Sequence, residues 1–179
     1  MSILKIARMG HPVLREKARA LERSEIKSAA MQKLIDDMID TMAEYRGVGL
    51  AAPQVHEGVR LFVAALDVNE DDEPEAAPVV VINPEISVVG ADVVEDWEGC
   101  LSIPDIRGMV LRAREIKVRA CDRKGERIEL RAHDFTARVI QHETDHLDGV
   151  LFFDRMRSFG TLTFLDEYSR YWIKDRDKD

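Results

Sequence analysis

The segment DFTARVIQHETDHL (134–147) constrains the fold of this chain more than any other stretch. It is predicted to be a helix with Asp134 as its N-cap. Residues four apart on a helix are neighbours, with Cβ atoms about 5–6 Å apart, so His142 and His146 can direct their imidazoles at one metal ion. A catalytic metal site typically has three protein ligands and one open position. The fold must therefore bring a third ligand to this helix, unless the segment is a surface helix with two coincidental histidines.

The third ligand has candidates on both sides of this helix in the sequence. Asp148 and Asp154 follow it, and no histidine lies beyond His146. Upstream, the stretch EGCLS (98–102) places Cys100 next to a glycine, so the thiolate can approach a metal closely. One cysteine with two histidines is a recognised catalytic ligand set. Taken alone, a cysteine is more often a buried thiol that packs like a small hydrophobic residue.

The rest of the chain contains both helix and strand patterns. An N-terminal helix is predicted over 25–46, with Ser24 capping its start and Gly47 after its end. A C-terminal helix is predicted around 160–173. The predicted fold class is α+β, with antiparallel strands packed around the central helix that carries the HExxH motif, and an N-terminal and a C-terminal helix. Strands are predicted over the segments 59–66, 79–84, 116–121 and 126–132.

Two segments are predicted to lack regular structure. The first, GVGLAAPQ (47–54), is too rich in glycine and proline for a helix or a strand. The second, DVNEDDEPEAAP (67–78), is acidic enough to suggest a calcium-binding loop, but that pattern requires Gly at its sixth position and Glu at its twelfth. Asp72 and Pro78 occupy those positions, so we expect a solvated surface loop.

Length and composition limit the class of protein. With 179 residues, 45% hydrophobic and 34% charged, the chain is expected to form a single domain over residues 1–179. A formal net charge of −8 argues against a broad nucleic-acid-binding face, although it leaves room for a local basic patch. The start, MSILKIARMG, is too short and too interrupted for a secretory signal, and no long apolar run follows. We therefore expect a cytoplasmic protein with no DNA or membrane partner.

Three motifs in this order resemble those of the peptide deformylases: GVGLAAPQ, EGCLS and QHETDHLDG. The similarity extends from RMGHPVLREKARAL near the N-terminus through LFFDRM near residue 155. The resemblance implies an enzyme in which Glu143 acts as the general base and acid, while Gln54 and the backbone N–H of Leu101 stabilise the oxyanion. The metal ligands that it implies, with a water in the fourth position, are Cys100, His142 and His146.

The resemblance also implies the reaction and its surroundings. The reaction is removal of the N-terminal formyl group from formyl-methionyl nascent polypeptides, which releases formate. Fe²⁺ is implied as the working metal, with Zn²⁺, Ni²⁺ or Co²⁺ as replacements, and affinity order alone does not decide between them. The substrate is an N-formylmethionyl peptide, so the ribosome near the nascent chain is a candidate partner.

A methionine side chain requires an apolar pocket, and the resemblance places Phe135, Arg138 and Val139 along it. The stem of Arg138 is expected to pack there while its guanidinium reaches water. Arg107 is expected either to contact the substrate backbone or to pair with Glu98, with the pairing slightly favoured. The full set of expected substrate-binding residues is Val48, Gly49, Glu98, Arg107, Phe135, Arg138 and Val139.

Two other functions are consistent with the motifs. A broader metallopeptidase would cleave internal peptide bonds and would need an open cleft. A non-catalytic, metal-stabilised, ribosome-associated module would keep the ligands but would have no use for a base at Glu143.

Asp145 is expected to be a structural ion-pair partner, because Glu143 already fills the proton-transfer role.

Overall fold

A computed structural model of the chain describes residues 2–66 and 78–173. It confirms the predicted α+β class, with antiparallel strands around the helix of the HExxH motif. The predicted acidic surface loop lies almost entirely outside the described residues. In the described residues the α-helices are α1 (Arg23–Ile26), α2 (Ala29–Glu44), α3 (Asp134–Leu147), α4 (Phe152–Arg155) and α5 (Leu165–Tyr171). The β-strands are β1 (Gly49–Ala51), β2 (Leu61–Ala64), β3 (Val79–Val88), β4 (Val93–Cys100), β5 (Ile103–Ala113), β6 (Glu115–Cys121), β7 (Arg127–His133) and β8 (Thr163–Phe164).

The strands form two antiparallel sheets. One has the order β1-β2-β3-β6-β7, and the other has the order β4-β5-β8. In β6 the predicted alternation is confirmed, because Ile116, Val118 and Ala120 are all buried. Strand β1 lies at the edge of the larger sheet, so one side of its backbone has no strand partner in that sheet.

Helix α3 packs against the larger sheet and also faces β4 and β5 of the smaller one. Ala137 and Ile140 on α3 belong to a buried cluster that includes Phe62 on β2 and Val118 on β6. The opposite side of α3 carries His142, whose ring contacts Glu98 on β4. This arrangement positions the HExxH residues at the junction of the two sheets. None of the helices in the described ranges is long and apolar enough to span a membrane.

The predicted N-terminal helix is wrong at its start, and it ends at Glu44, two residues before the predicted end. The structure divides the segment into α1 and α2, and Ser24 lies inside α1 and does not cap it. Ser28 is the N-cap of α2, where its Oγ accepts a hydrogen bond from the backbone N–H of Met31 at 3.2 Å. A serine at an N-cap satisfies an amide that the helix itself leaves unpaired, so the second serine sets the start of the long helix.

The segment 47–54 is predicted to be irregular, and this is wrong from Gly49 onward. Leu50 pairs with Val63 of β2, and residues 52–55 form a 3-10 turn. Pairing with a neighbouring strand outweighs the weak strand propensity of glycine and alanine.

Two further boundaries also differ from the predictions. His133, not Asp134, is the N-cap of α3, and the carboxylate of Asp134 accepts a hydrogen bond from Arg114. The C-terminal helix is shorter than predicted, because 3-10 and strand residues occupy 159–164 before α5 begins.

Candidate metal centre and active site

Three potential metal ligands converge at the junction of the sheets. Cys100 ends β4, while His142 and His146 lie one turn apart on α3, and their ligand atoms all lie within 4.8 Å of one another. All three side chains are buried. In the described ranges no other trio of His, Cys, Asp or Glu side chains converges in this way. The downstream candidates Asp148 and Asp154 each pair with an arginine elsewhere.

The spacing of these atoms fits a tetrahedral metal site. The Sγ of Cys100 lies 3.2 Å from Nε2 of His146. Metal–sulfur and metal–nitrogen bonds of about 2.3 and 2.0 Å at a tetrahedral angle would separate S and N by about 3.5 Å. Burial raises the pKa of the Cys100 thiol, but the imidazoles of His146 and His142 outweigh this and hold that pKa well below its usual range. The site therefore favours the thiolate that a metal requires.

The carboxylate of Glu98 orients one of these ligands. Its Oε2 lies 2.9 Å from Nδ1 of His142, which assigns the proton to Nδ1 and leaves Nε2 for a metal. Arg112 donates two hydrogen bonds to Glu98, and Arg138 donates a third at 2.7 Å. Burial raises the pKa of the Glu98 carboxyl, but the hydrogen bonds from Arg112 and His142 outweigh it, so that pKa lies well below its usual range.

The expected pairing of Arg107 with Glu98 is wrong. Arg112 and Arg138 occupy the carboxylate, and Arg107 donates instead to the carbonyl oxygen of Ile106 at 2.9 Å. Burial selects this outcome, because a buried carboxylate needs buried donors, and Arg112 and Arg138 are buried while Arg107 is partly exposed.

The guanidinium of Arg138 does not reach water, so that expectation is also wrong. The side chain is only 5% exposed and donates to Glu98 and to the carbonyl oxygens of Val110 and Val94. A charged head group with this many acceptors can remain in the interior. Arg138 still lines the cleft, but its guanidinium binds carbonyl oxygens of β4 and β5.

Arg112 is the residue that sequence reasoning missed. It joins Glu98 to Asp145, whose carboxylate also binds Arg155 at 2.7 Å. This confirms Asp145 as a structural ion-pair partner. The sequence pattern that could have identified Arg112 is the alternation along β5, where Arg112 shares the buried face with Gly108 and Val110. An arginine on an apolar face indicates a buried acidic partner.

Glu143 lies beside the ligands without joining them. Its side chain is buried, and its Oε2 has no hydrogen-bond partner among the described residues. Burial raises the pKa of the Glu143 carboxyl. A carboxylate with a raised pKa is a stronger proton acceptor, as a general base requires. Gly49 makes room for it, because a Cβ at that position would lie 2.3 Å from Oε1 of Glu143.

We expect the substitution Gly49→Ala to lower kcat/KM by about 100-fold, because the added methyl group displaces the Glu143 carboxylate and small misplacements of reacting groups have effects of this size. Steady-state hydrolysis of a formyl-Met peptide checks this. Gly58→Ala is the matched control, since a Cβ there meets no atom within 4 Å. Equal activity of the two variants would contradict the predicted contact.

Gln54 is held by both ends of its amide. Its Oε1 accepts a hydrogen bond from the backbone N–H of Ala51 at 2.8 Å, and its Nε2 lies 3.2 Å from Oγ of Ser102 and 3.5 Å from Sγ of Cys100. The amide N–H₂ group therefore points at the ligand cluster. Leu101 follows Cys100 directly and lines the same cleft.

The cluster opens into a cleft with a volume of about 810 Å³. Val139 is buried in its wall, while Phe135 and Val48 are exposed at its rim. The structure thus brings all of the predicted site residues except His146 to the lining of one cleft. The residues that line it are, among others, Val48, Gly49, Gln54, Glu98, Cys100, Leu101, Arg107, Phe135, Arg138, Val139, His142 and Glu143.

Hydrolysis at a metal ion is the chemistry that a thiolate, two imidazoles and a neighbouring carboxylate support, so fold and site define the class of metal-dependent hydrolases. Within that class, the sequence model of the family described as polypeptide deformylase matches residues 3–161. The chain belongs to that family and is a metal-dependent N-terminal deformylase.

Individual relatives agree with this assignment. The peptide deformylase 2 of a Nostoc species is 45% identical over 175 residues, which is 97% of each chain. The crystal structure of a peptide deformylase from Thermotoga maritima has a TM-score of 0.79 at 40% identity, and covers 88% of this chain and 100% of that one. A class I type b peptide deformylase from Acinetobacter baumannii, bound to Met-Ala-Ser, has a TM-score of 0.80 at 41% identity over 87% of this chain and 100% of that one.

Proposed function

We propose that this deformylase acts on N-formylmethionyl nascent chains through a centre in which Cys100, His142 and His146 hold Fe²⁺. The observation that carries the proposal is the convergence of the three ligand atoms within 4.8 Å, with Glu143 buried beside them. When bound, the cation lowers the pKa of a water molecule and polarises the formyl carbonyl. A single catalytic domain over residues 1–179 remains the predicted organisation.

Glu143 then performs the proton transfers. Its carboxylate accepts the proton of the attacking water and delivers it to the nitrogen of the leaving amine, so that formate and a free N-terminus are produced. The raised pKa that burial gives this carboxyl suits both steps. The buried Oε2, which has no partner among the described residues, supplies the accepting atom.

Gln54 and Leu101 are the proposed oxyanion donors. The carbonyl oxygen gains negative charge as the water adds, and N–H groups already aimed at it stabilise that charge without having to reorganise. The hydrogen bond from Ala51 to Oε1 of Gln54 orients the amide so that Nε2 faces the site. The backbone N–H of Leu101 belongs to the residue next to ligand Cys100.

The rest of the substrate is proposed to bind along the cleft. Strand β1 is a sheet edge in the described part of the chain, so the backbone of Gly49 can pair with an extended peptide as an added strand, next to Val48 at the rim of the cleft. Val139 and the stem of Arg138 form the wall for the methionine side chain, with Phe135 at its mouth. The binding of Met-Ala-Ser by the related Acinetobacter baumannii enzyme supports this class of substrate. Arg107 remains free to contact the peptide backbone, while Glu98 acts through His142.

The test compares a formyl-Met peptide, an acetyl-Met peptide and an unblocked peptide under identical conditions. We expect release of formate from the first, with little or no hydrolysis of the other two, because a formyl carbon bears only hydrogen and fits a closed site. Cleavage inside the unblocked peptide with the formyl group left intact would instead show the broader metallopeptidase. A cytoplasmic location and proximity to the ribosome are proposed from the nascent-chain substrate alone.

Removal of the metal is expected to abolish turnover, and Fe²⁺ is expected to restore more activity than Zn²⁺, Ni²⁺ or Co²⁺. The measurement is formate release after chelation and anaerobic reloading with each ion. Cys100→Ser should lose bound metal, whereas Cys121→Ser, at the other free cysteine of the described residues, should keep it. Full activity of the chelated protein would contradict the proposed centre.

A further inference from the structure

One wall of the cleft carries positive charge on a chain with a formal net charge of −8. Lys5, Arg8 and Arg46 all line the cleft and are all exposed to solvent. The fold, and not their positions in the sequence, brings them together, because Arg46 lies about forty residues from the other two. We call these three residues the cationic wall.

Backbone hydrogen bonds hold the N-terminal segment beside the catalytic residues. The N–H of Ala7 donates to the carbonyl oxygen of Gln54 at 2.7 Å, and the N–H of Met9 donates to that of Ser102 at 2.8 Å. Arg8 therefore lies between two residues whose backbones are fixed to the oxyanion side of the site.

The end of α2 adds the third cation to the same wall. The N–H of Leu4 donates to Oγ1 of Thr41 on α2 at 2.9 Å, which places Lys5 next to the C-terminal part of that helix. Arg46 follows the C-cap residue of α2, with a positive φ of 52°. Its neighbour Gly47 packs so closely on Leu101 that a Cβ there would lie 2.9 Å from Cδ1 of Leu101. Lys5, Arg8 and Arg46 are thus grouped around the loop that follows Cys100.

The charges of the cationic wall are not neutralised within the described part of the chain. None of the three forms an ion pair there, whereas the exposed Arg15 and Arg19 each do. Asp105 is the one exposed carboxylate among the described residues that line the cleft. Cationic side chains therefore outnumber acidic ones at the exposed rim.

We propose that the cationic wall binds a carboxylate of the peptide downstream of the formyl-methionine, so that the enzyme prefers chains with Asp or Glu among their next few residues. This rests on the proposed function, because the peptide must leave the cleft across the exposed rim once its formyl group is at the metal centre. The net negative charge of the rest of the protein repels peptides that carry Asp or Glu. The cationic wall offsets that repulsion where the peptide crosses the exposed rim of the cleft.

The effect is moderate and depends on salt. Exposed ion pairs contribute little individually, so three of them are expected to change kcat/KM by about three- to tenfold, mainly through binding. The Debye length falls from about 10 Å at 0.1 M salt to about 3 Å at 1 M, so the preference should largely disappear at high salt.

The experiment uses the metal-loaded full-length enzyme and amidated formyl-Met-Ala peptides that differ only by Glu, Gln or Lys at the third or fourth residue. The order of kcat/KM is expected to be Glu above Gln above Lys at low salt. A free-acid version of the Gln peptide separates a C-terminal carboxylate from an acidic side chain. An advantage for the free acid without one for the Glu amide would overturn the side-chain preference.

The triple variant Lys5→Gln, Arg8→Gln, Arg46→Gln should bring the Glu/Gln ratio of kcat/KM close to one. The triple control Lys117→Gln, Lys124→Gln, Arg127→Gln removes the same total charge from exposed positions outside the cleft and should keep the ratio. Turnover of the Gln peptide with no advantage for Glu overturns this inference alone. Failure to deformylate any formyl-Met peptide overturns the proposed function and the inference with it.

Discussion

Replacing Glu143 with glutamine is expected to lower turnover of a formyl-Met peptide by about 10²–10⁴-fold, because Glu143 is the proposed acceptor for the proton of the attacking water. The amide has nearly the shape of the carboxylate but cannot accept that proton. The fold should be unaffected, since Oε2 of Glu143 is buried without a partner among the described residues. The measurements are formate release, metal content and thermal unfolding.

Asp148→Asn is the matched control for Glu143→Gln. Asp148 is the C-cap of the same helix, pairs with Arg60 near the surface, and is not among the residues that line the cleft. The same chemical change there should leave turnover within about twofold, as expected for a surface position. If Glu143→Gln retains full turnover with a normal metal content, another group must supply the base.

Replacing Glu98 with glutamine is expected to have the largest effect on stability. The carboxylate accepts hydrogen bonds from Arg112 and Arg138, and all three side chains are buried. Removing one partner of a buried ion pair lowers the free energy of unfolding by about 3–5 kcal/mol, because the remaining charge stays uncompensated. Unfolding of the metal-free protein should therefore occur at a temperature lower by roughly 6–20 °C.

The same substitution should also weaken metal binding, through a different contact. Glu98 fixes the ring of His142 through Nδ1 at 2.9 Å, and loss of such an outer partner typically lowers metal affinity by about 10–100-fold. Glu129→Gln is the control, because its pair with Arg119 is exposed and should contribute under about 1 kcal/mol. Equal stability of the two variants would show that the buried pairs make no net contribution.

The site residues that could be predicted from the sequence were those that belong to local sequence motifs. Helical spacing placed His142 and His146 on one face, and Cys100 was identified as a ligand from its motif and from the resemblance to the family. The histidine pair depends on short spacing alone, whereas spacing left Cys100 open against Asp148 and Asp154, and the resemblance selected it. The class of fold followed in the same way, from the alternation of strands such as β6.

Two of the errors concern arginines whose partners depend on how strands pair, and a third concerns the start of a helix. Arg107 and Arg112 both follow Glu98, and only the register of β5 against β4 decides that Arg112 is the one buried beside it. Arg138 was expected to reach water, but three acceptors on β4 and β5 hold its guanidinium inside. The start of α2 was misplaced because Ser24 and Ser28 are equally good caps by composition.

The sequence by itself determined the residue types at the centre, because the spacing of His142 and His146 predicts one metal-binding helix face and the resemblance to the family implies Cys100 and Glu143 beside them. Tertiary structure alone decided which residues surround the metal ligands and Glu143. It selected the buried partners of Glu98, brought Gly49 against Glu143, and assembled the cationic wall from the N-terminal segment and the end of α2. The physical reason is that ligand identity is a property of single residues, whereas burial, desolvation and ion pairing depend on which distant segments meet.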